Sequence, residues 1–242
     1  MVSGGLVLER GGAVATIVIT NPAKRNAMTA DMWRALPGLL EELAADRSVK
    51  VVVLAGAAGT FCAGADIAEA AALARTGEVS LAVHAEKALA SFPKPTIARI
   101  GGFCVGGGCQ LAVACDLRVA ADDSRFGSTP AKLGIVYPAS STHRLSGLVG
   151  PARAKLLLFT ADLIDAPAAF AIGLVDRVVP APDLGKAVDE LAGTLTQRSQ
   201  LTIHAAKATL AGRTAPAQDE DELEEGIAAF TGRRAPRFSW AG

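Results

Sequence analysis

Two short loops rich in glycine and alanine are the strongest candidates for chemistry in this sequence. One covers residues 63–66 (AGAD) and the other residues 106–108 (GGG). Each loop follows a strand-like apolar run and precedes a helical pattern, so backbone N–H groups are left bare at the positive end of a helix. Such loops could each direct one N–H at the same carbonyl oxygen and thereby stabilise an enolate or a tetrahedral oxyanion.

The elements around these loops predict an α/β protein. Strand-like runs and amphipathic helical patterns alternate up to about residue 180, and only helical patterns follow. We therefore expect a core over residues 1–182 that carries the site, and a C-terminal helical arm over residues 183–242. The expected strands lie at 13–20, 51–54, 96–100, 116–121 and 174–179. The first expected helix is capped by Thr29 and has a buried face that runs from Met32 to Leu43, and further helices are expected at 67–92, 151–158, 183–198, 199–211 and 217–231.

Composition and charge exclude several classes of protein. The 242 residues include 24 basic and 24 acidic side chains, and no basic block is longer than a pair such as Arg233-Arg234, which argues against nucleic-acid binding. No apolar run approaches 18 residues, and the N-terminus has no signal pattern, so we expect a cytoplasmic protein without a membrane span. The glycine segment lacks the G-x-G-x-x-G spacing of a dinucleotide site, and we expect no metal or redox cofactor.

Other polar residues have simpler structural explanations. The four cysteines show no zinc spacing and are expected to be reduced thiols in the core. Ser140, Ser141, Thr142 and His143 could form a nucleophile and base, but a Ser/Thr cluster beside a helix is more typical of a cap. His84 and His204 are expected to be structural or exposed.

Several motifs together resemble the crotonase (enoyl-CoA hydratase/isomerase) superfamily. They are NPAKRNAMT at 21–29, FCAGADI at 61–67, the segment 101–135 that begins GGFCVGGGCQ, GLVDRVVP at 173–180 and EEGIAAFTGRR at 224–234. The resemblance implies a spiral of ββα units, a coenzyme A thioester as ligand, and a homotrimer or dimer of trimers assembled through the C-terminal helices.

The resemblance also implies roles for individual residues. The backbone N–H groups of Ala65 and Gly107 match the oxyanion hole, within the loop residues Gly64, Asp66, Ile67 and Gly106. Ala63 matches the adenine contact, and Lys24, Arg25 and Ala27 match the pantetheine and phosphate contacts. Lys24 and Arg25 could equally be solvated loop residues. Phe230 and Arg233 match positions that reach the coenzyme A of a neighbouring subunit.

The sequence departs from the family at both proton-handling positions. Hydratases of this family use two glutamates on either side of a water, and the matching residues here are Gln110 and Pro130. A glutamine can orient a water or carbonyl but cannot act as a base, and a proline offers only its carbonyl. The two-glutamate mechanism is therefore disfavoured for this chain.

The segment Thr129–Tyr137 is similar to the methylmalonyl-CoA decarboxylase branch of the superfamily, which has a threonine and a tyrosine at these two positions. That branch differs at Ala65 and Gln110, where it has histidine and glutamate. Decarboxylation needs an oxyanion hole and a proton donor but no base. We therefore favour decarboxylation of a malonyl-type thioester, with atypical hydration or isomerisation and catalytically silent acyl-CoA binding as alternatives. A core-edge position with a satisfied hydroxyl would also explain Tyr137.

Overall fold

The computed structural model describes residues 4–69 and 80–240 and contains two sheets. The larger sheet has the strand order β1-β2-β3-β4-β6-β9 and the smaller sheet the order β5-β7-β8. The β1–β2 pair is antiparallel, and all other pairs of the larger sheet are parallel. The strands are β1 (Gly5–Gly11), β2 (Val14–Thr20), β3 (Val51–Gly56), β4 (Thr96–Ile100), β5 (Phe103–Val105), β6 (Leu117–Ala121), β7 (Arg125–Gly127), β8 (Ile164–Asp165) and β9 (Arg177–Val179).

The helices lie between and after these strands. In chain order the described helices are α1 (Ala30–Ala45), α2 (Ser80–Ser91), α3 (Gly107–Ala114), α4 (Pro130–Leu133), α5 (Ala139–Val149), α6 (Pro151–Thr160), α7 (Ala166–Ala171), α8 (Leu184–Thr196), α9 (Gln200–Leu210) and α10 (Glu220–Thr231). None of these described helices is long and apolar enough to cross a membrane.

One face of the larger sheet forms the main core. Alternate residues of the central strands, such as Ile17, Leu54 and Ile100, point to this face and are fully buried. They pack in one cluster with the buried stripe of α1, which includes Leu36 and Leu40. The cap predicted for α1 is confirmed, because Thr29 Oγ1 accepts a hydrogen bond from the Met32 N–H at 3.3 Å.

The opposite face of the sheet is covered by α8. Ala187 and Val188 of this helix pack against Val51, Val53 and Ile97 in a second buried cluster. The next helix is also docked, because Lys207 Nζ on α9 donates to Asp116 Oδ2 at 2.6 Å. The first helices of the segment expected as a C-terminal arm thus pack against the core, since a buried parallel sheet needs apolar cover on both faces.

Several elements differ from the sequence-based expectation. The strands β1, β5, β7 and β8 and the helices α4, α5 and α7 were not predicted, and the strand expected at 174–179 is limited to Arg177–Val179. Every residue of β1 pairs with a residue of β2. This pairing outweighs the low strand propensity of the glycines at both ends of β1. The helix expected over 67–92 lies partly outside the described residues, which contain its section at Ser80–Ser91.

The close approach of α3 to the loop before it predicts the cost of one methyl group. A Cβ on Gly108 would lie 2.2 Å from the Cys62 carbonyl oxygen, whereas a Cβ on Gly147 in α5 would meet nothing within 4 Å. We expect Gly108→Ala to lower the free energy of unfolding by roughly 1–3 kcal/mol through overpacking. Gly147→Ala should change it by less than ~1 kcal/mol, in the stabilising direction. Urea unfolding measures both, and equal midpoints for the two variants would contradict the described packing.

Candidate active site

The two glycine-rich loops meet through their backbones. A Cβ on Gly107 would lie 3.3 Å from the Ala65 nitrogen and 3.1 Å from the buried Trp33 ring. Over residues 4–69 and 80–240, neither the Ala65 N–H nor the Gly107 N–H donates a hydrogen bond. The structure therefore brings together two adjacent amides that are both free to bind an acceptor.

Backbone hydrogen bonds fix the position of the first loop. The Ala63 N–H donates to the Arg25 carbonyl at 3.0 Å, and the Met28 N–H donates to the Gly64 carbonyl at 2.8 Å. The Asp66 N–H then donates to the Met28 carbonyl at 2.9 Å. These bonds hold the residues before and after Ala65 in place. None of them uses the Ala65 N–H.

The second loop requires glycine for its backbone conformation. Gly106 has a φ of +54° and Gly64, opposite it, a φ of +117°, both in the region that side chains disfavour. Gly107 is the first residue of α3, so its N–H has no partner within the helix and lies at the positive end of the helix dipole. This arrangement favours a ligand oxygen that carries or develops negative charge.

The charged residues predicted to contact coenzyme A lie on the segment before the first loop. Lys24 Nζ is 2.5 Å from Asp66 Oδ2, and Asp66 Oδ1 also accepts from the Ala68 N–H at 3.2 Å. The exposed Arg25 guanidinium lies 4.8 Å from the centroid of the Phe103 ring. Of the neighbouring predicted residues, Ala27 is buried and Ile67 is exposed. Lys24 is therefore already paired with a carboxylate, and Arg25 is stacked on an aromatic ring.

Thr129 and Pro130 lie beside the second loop. Thr129 Oγ1 is 3.6 Å from the point that a Cβ on Gly106 would occupy. Pro130 is buried and is the first residue of α4. The structure thus brings Thr129 to the glycine turn, and the residue at the second expected glutamate position carries no titratable group.

Gln110 has a buried carboxylate as its partner, which the sequence analysis missed. Its Nε2 donates to Glu86 Oε2 at 2.8 Å, and both residues are buried. Glu86 also accepts from Ser141 Oγ at 2.5 Å and forms an ion pair with Arg144. The signal in the sequence was a charged residue on the apolar stripe of α2, three residues before the buried Leu89.

This contact corrects the interpretation of the Ser/Thr cluster. Ser141 and Thr142 are inside α5, and neither caps it, since the residue before the helix is Pro138 and has no side-chain bond. Ser141 faces inward to Glu86, and Thr142 Oγ1 donates to the Pro138 carbonyl at 3.0 Å. His143 is exposed, so no nucleophile and base are paired here.

Tyr137 lies among buried polar groups of the same region. Burial is the main cause that raises the pKa of Tyr137 well above its usual value, and nearby Cys109 and Glu86 act in the same direction. The nearby Ser128 hydroxyl acts in the opposite direction and lowers the pKa of Tyr137. Among the described residues, Ser128 Oγ has no hydrogen-bond partner of normal geometry. The Tyr137 hydroxyl is therefore a neutral donor at physiological pH.

The remaining predicted site residues lie at the end of α10 and just after it. Phe230 is 89% exposed near the end of α10, and Arg233 is exposed with a φ of +51°. The four cysteines are free and buried. No three His, Cys, Asp or Glu side chains among the described residues form a group that could hold a metal ion. A cleft of about 350 Å³ lies elsewhere, between Lys50 and the tail residues 235–238.

The chain is similar to known proteins over nearly its whole length. The sequence profile described as enoyl-CoA hydratase/isomerase matches residues 9–231. A crotonyl-CoA hydratase of Syntrophomonas wolfei is 36% identical over 207 residues, which cover 84% of this chain and 80% of the relative. A short-chain-enoyl-CoA hydratase of Clostridium acetobutylicum is 35% identical over 206 residues, with 84% and 79% covered.

Solved structures agree with these relatives. An enoyl-CoA hydratase/isomerase family protein from Hyphomonas neptunium superposes with a TM-score of 0.90 at 37% identity, covering 97% of each chain. An enoyl-CoA hydratase from Bacillus anthracis has a TM-score of 0.88 at 28% identity, covering 96% of this chain and 98% of its own. The predicted crotonase fold is confirmed.

The paired amides lead to a test of the Gly107 N–H. Gly107→Pro removes this donor, and the Cβ that it adds would lie 3.1 Å from the Trp33 ring and 3.3 Å from the Ala65 nitrogen, so these neighbours must shift by a few tenths of an ångström. We expect the turnover of an accepted acyl-CoA to fall about 10²-fold to 10³-fold, or ~3 kcal/mol of transition-state stabilisation, at a similar KM. Steady-state kinetics on a variant shown by circular dichroism to be folded makes the measurement.

The matched control is Glu220→Pro, which places proline at the first position of α10, away from the loops. It should leave turnover unchanged. If both proline variants had full activity, the Gly107 N–H would have no role in the reaction.

Proposed function

Because this chain belongs to the enoyl-CoA hydratase/isomerase family, we propose that it is an enzyme that acts on an acyl-CoA thioester. The thioester oxygen binds between the N–H groups of Ala65 and Gly107. These two amides are adjacent and lack acceptors in the described part of the chain, and this observation carries the proposal. Two such donors stabilise an enolate oxygen more than they stabilise a neutral carbonyl oxygen.

We propose further that the enolate forms by loss of CO2 from a malonyl-type thioester. Three carboxylates around the loops are already engaged: Asp66 with Lys24, Glu86 with Arg144, and Glu69 with the Ala30 N–H at 2.6 Å. Gln110 and Pro130 occupy the positions where a base is expected, and neither can remove a proton. A reaction that requires no base agrees best with this set of residues.

The proposed step balances without a cofactor. The bond between the α-carbon and the carboxylate carbon breaks, and CO2 leaves. The electron pair of that bond stays with the α-carbon and forms the enolate, whose oxygen is held by the Ala65 and Gly107 N–H groups. The enolate then takes one proton from solvent at the α-carbon. A neutral Tyr137 hydroxyl and the Thr129 hydroxyl are suited to orient the departing carboxylate, because each can donate a hydrogen bond to it.

Hydration or isomerisation of an enoyl-CoA is the second candidate. Its support is that the relatives are named crotonyl-CoA hydratase and short-chain-enoyl-CoA hydratase. Without the two glutamates, such a reaction would proceed by an atypical mechanism in which Gln110 orients the water. A silent acyl-CoA-binding protein would bind the same thioesters and turn over none of them.

We also propose self-association as the trimer or dimer of trimers expected from the sequence. On α10, Leu223, Ile227 and Phe230 are spaced on one face and are 50%, 58% and 89% exposed. Such a stripe is typical of a face that packs against another molecule. Phe230 and Arg233 are then available to a neighbouring subunit.

Parallel assays with methylmalonyl-CoA and crotonyl-CoA test the reaction. We expect CO2 release from methylmalonyl-CoA and little hydration of crotonyl-CoA. Tyr137→Phe should lower kcat/KM for decarboxylation by about 10-fold to 100-fold, the value of a hydrogen bond to a charged group.

The control for this variant is Thr209→Val, which removes a hydroxyl that donates to the Ala205 carbonyl on α9 at 2.9 Å. It should change neither reaction. Efficient turnover of crotonyl-CoA that is unaffected by Tyr137→Phe, without CO2 release from methylmalonyl-CoA, would show that the decarboxylase assignment is wrong.

A further inference from the structure

The side-chain amide of Gln110 has a fixed orientation because of Glu86. An ionised carboxylate only accepts hydrogen bonds, so the end of the amide that faces Glu86 at 2.8 Å must be the Nε2 donor. Arg144 forms an ion pair with the other oxygen of Glu86, Oε1. The amide oxygen of Gln110, Oε1, therefore points away from Glu86.

Gln110 Oε1 is left as an available acceptor. Among the described residues no group donates to this oxygen, and the oxygen is not fully buried. Gln110 follows Gly107 by three residues on α3, and its N–H donates to the Gly106 carbonyl at 3.0 Å. Since helical Cα–Cβ bonds tilt toward the N-terminus, this side chain leans toward the end of α3 that carries the free Gly107 N–H.

We propose that Glu86 is a positioning residue that presents Gln110 Oε1 to the water that protonates the enolate. The inference rests on the proposed decarboxylation. One O–H of the water donates to Gln110 Oε1, and the other O–H breaks as its proton bonds to the α-carbon. The hydroxide that remains combines with the released CO2 to give bicarbonate. A water held in one place delivers its proton to one face of the enolate.

The ion pair explains why Glu86 positions rather than catalyses. Its side chain is 1% exposed and has donors on both oxygens: Arg144 on Oε1, and Gln110 and Ser141 on Oε2. A carboxylate so enclosed does not touch the substrate. Its effect on the reaction passes through the orientation of Gln110.

The stereochemistry of protonation tests this role. Wild-type protein and variants convert methylmalonyl-CoA in D2O, and the configuration of the deuterated α-carbon in the propionyl-CoA product is determined. We expect one configuration to predominate with the wild type. Glu86→Gln replaces the carboxylate with an amide that can also donate a hydrogen bond. The side-chain amide of Gln110 can then rotate by half a turn and present Nε2 in place of Oε1. This variant should lower kcat about 10²-fold, with little change in KM, and give a mixture of configurations.

Two further variants keep the test decisive. Gln110→Met retains the Glu86, Ser141 and Arg144 contacts and should also give a mixture, so it serves where Glu86→Gln does not fold. Glu222→Gln is the matched control, because Glu222 is a buried carboxylate that accepts from Ser199 Oγ at 2.7 Å, away from α3. It should retain the wild-type configuration.

Each outcome decides a different point. A single configuration from Glu86→Gln or from Gln110→Met would overturn the positioning role. CO2 release by the wild type with a mixture of configurations would also overturn it and leave the proposed function standing. No CO2 release by the wild type would overturn the proposed function and this inference with it.

Discussion

The close approach of two backbone turns is the constraint on which the site depends. The turn at Gly106–Gly108 lies against residues 62–65 at distances that leave no room for a Cβ on Gly108 and little for one on Gly107. The contact places the Ala65 and Gly107 amides side by side, and the bonds of Ala63, Met28 and Asp66 hold the first turn in place. The second turn directly follows β5 of the smaller sheet, and α8 closes the second face of the larger sheet.

The chemistry around this pair of amides differs from what a hydratase of this family would use. The positions expected to hold two glutamates carry Gln110 and Pro130. A buried glutamate, Glu86, nevertheless contacts Gln110 through a hydrogen bond. Arg144 and Ser141 satisfy that carboxylate inside the fold. Glu86 then acts on the site through the Gln110 amide that it orients.

Tyr137 is a neutral hydrogen-bond donor that lies near this network. Its pKa is raised by the loss of solvent and by nearby Cys109 and Glu86, so the phenol remains a donor over the whole physiological range. A neutral donor can orient a carboxylate without supplying or removing a proton. Gln110, Tyr137 and Thr129 are all groups that orient, which agrees with a reaction that needs no base.

The sequence by itself determined the features that depend on local residue types. The glycine loops, the Thr29 cap and the apolar strands follow from backbone freedom, capping chemistry and periodicity, and the family motifs lie in those same segments. Only the tertiary structure decided the partners of Glu86 and Gln110, because residues 86, 110, 141 and 144 come from three helices far apart in the chain. It also decided that the helix after residue 183 belongs to the core, since an amphipathic pattern shows that a face is buried but not which surface buries it.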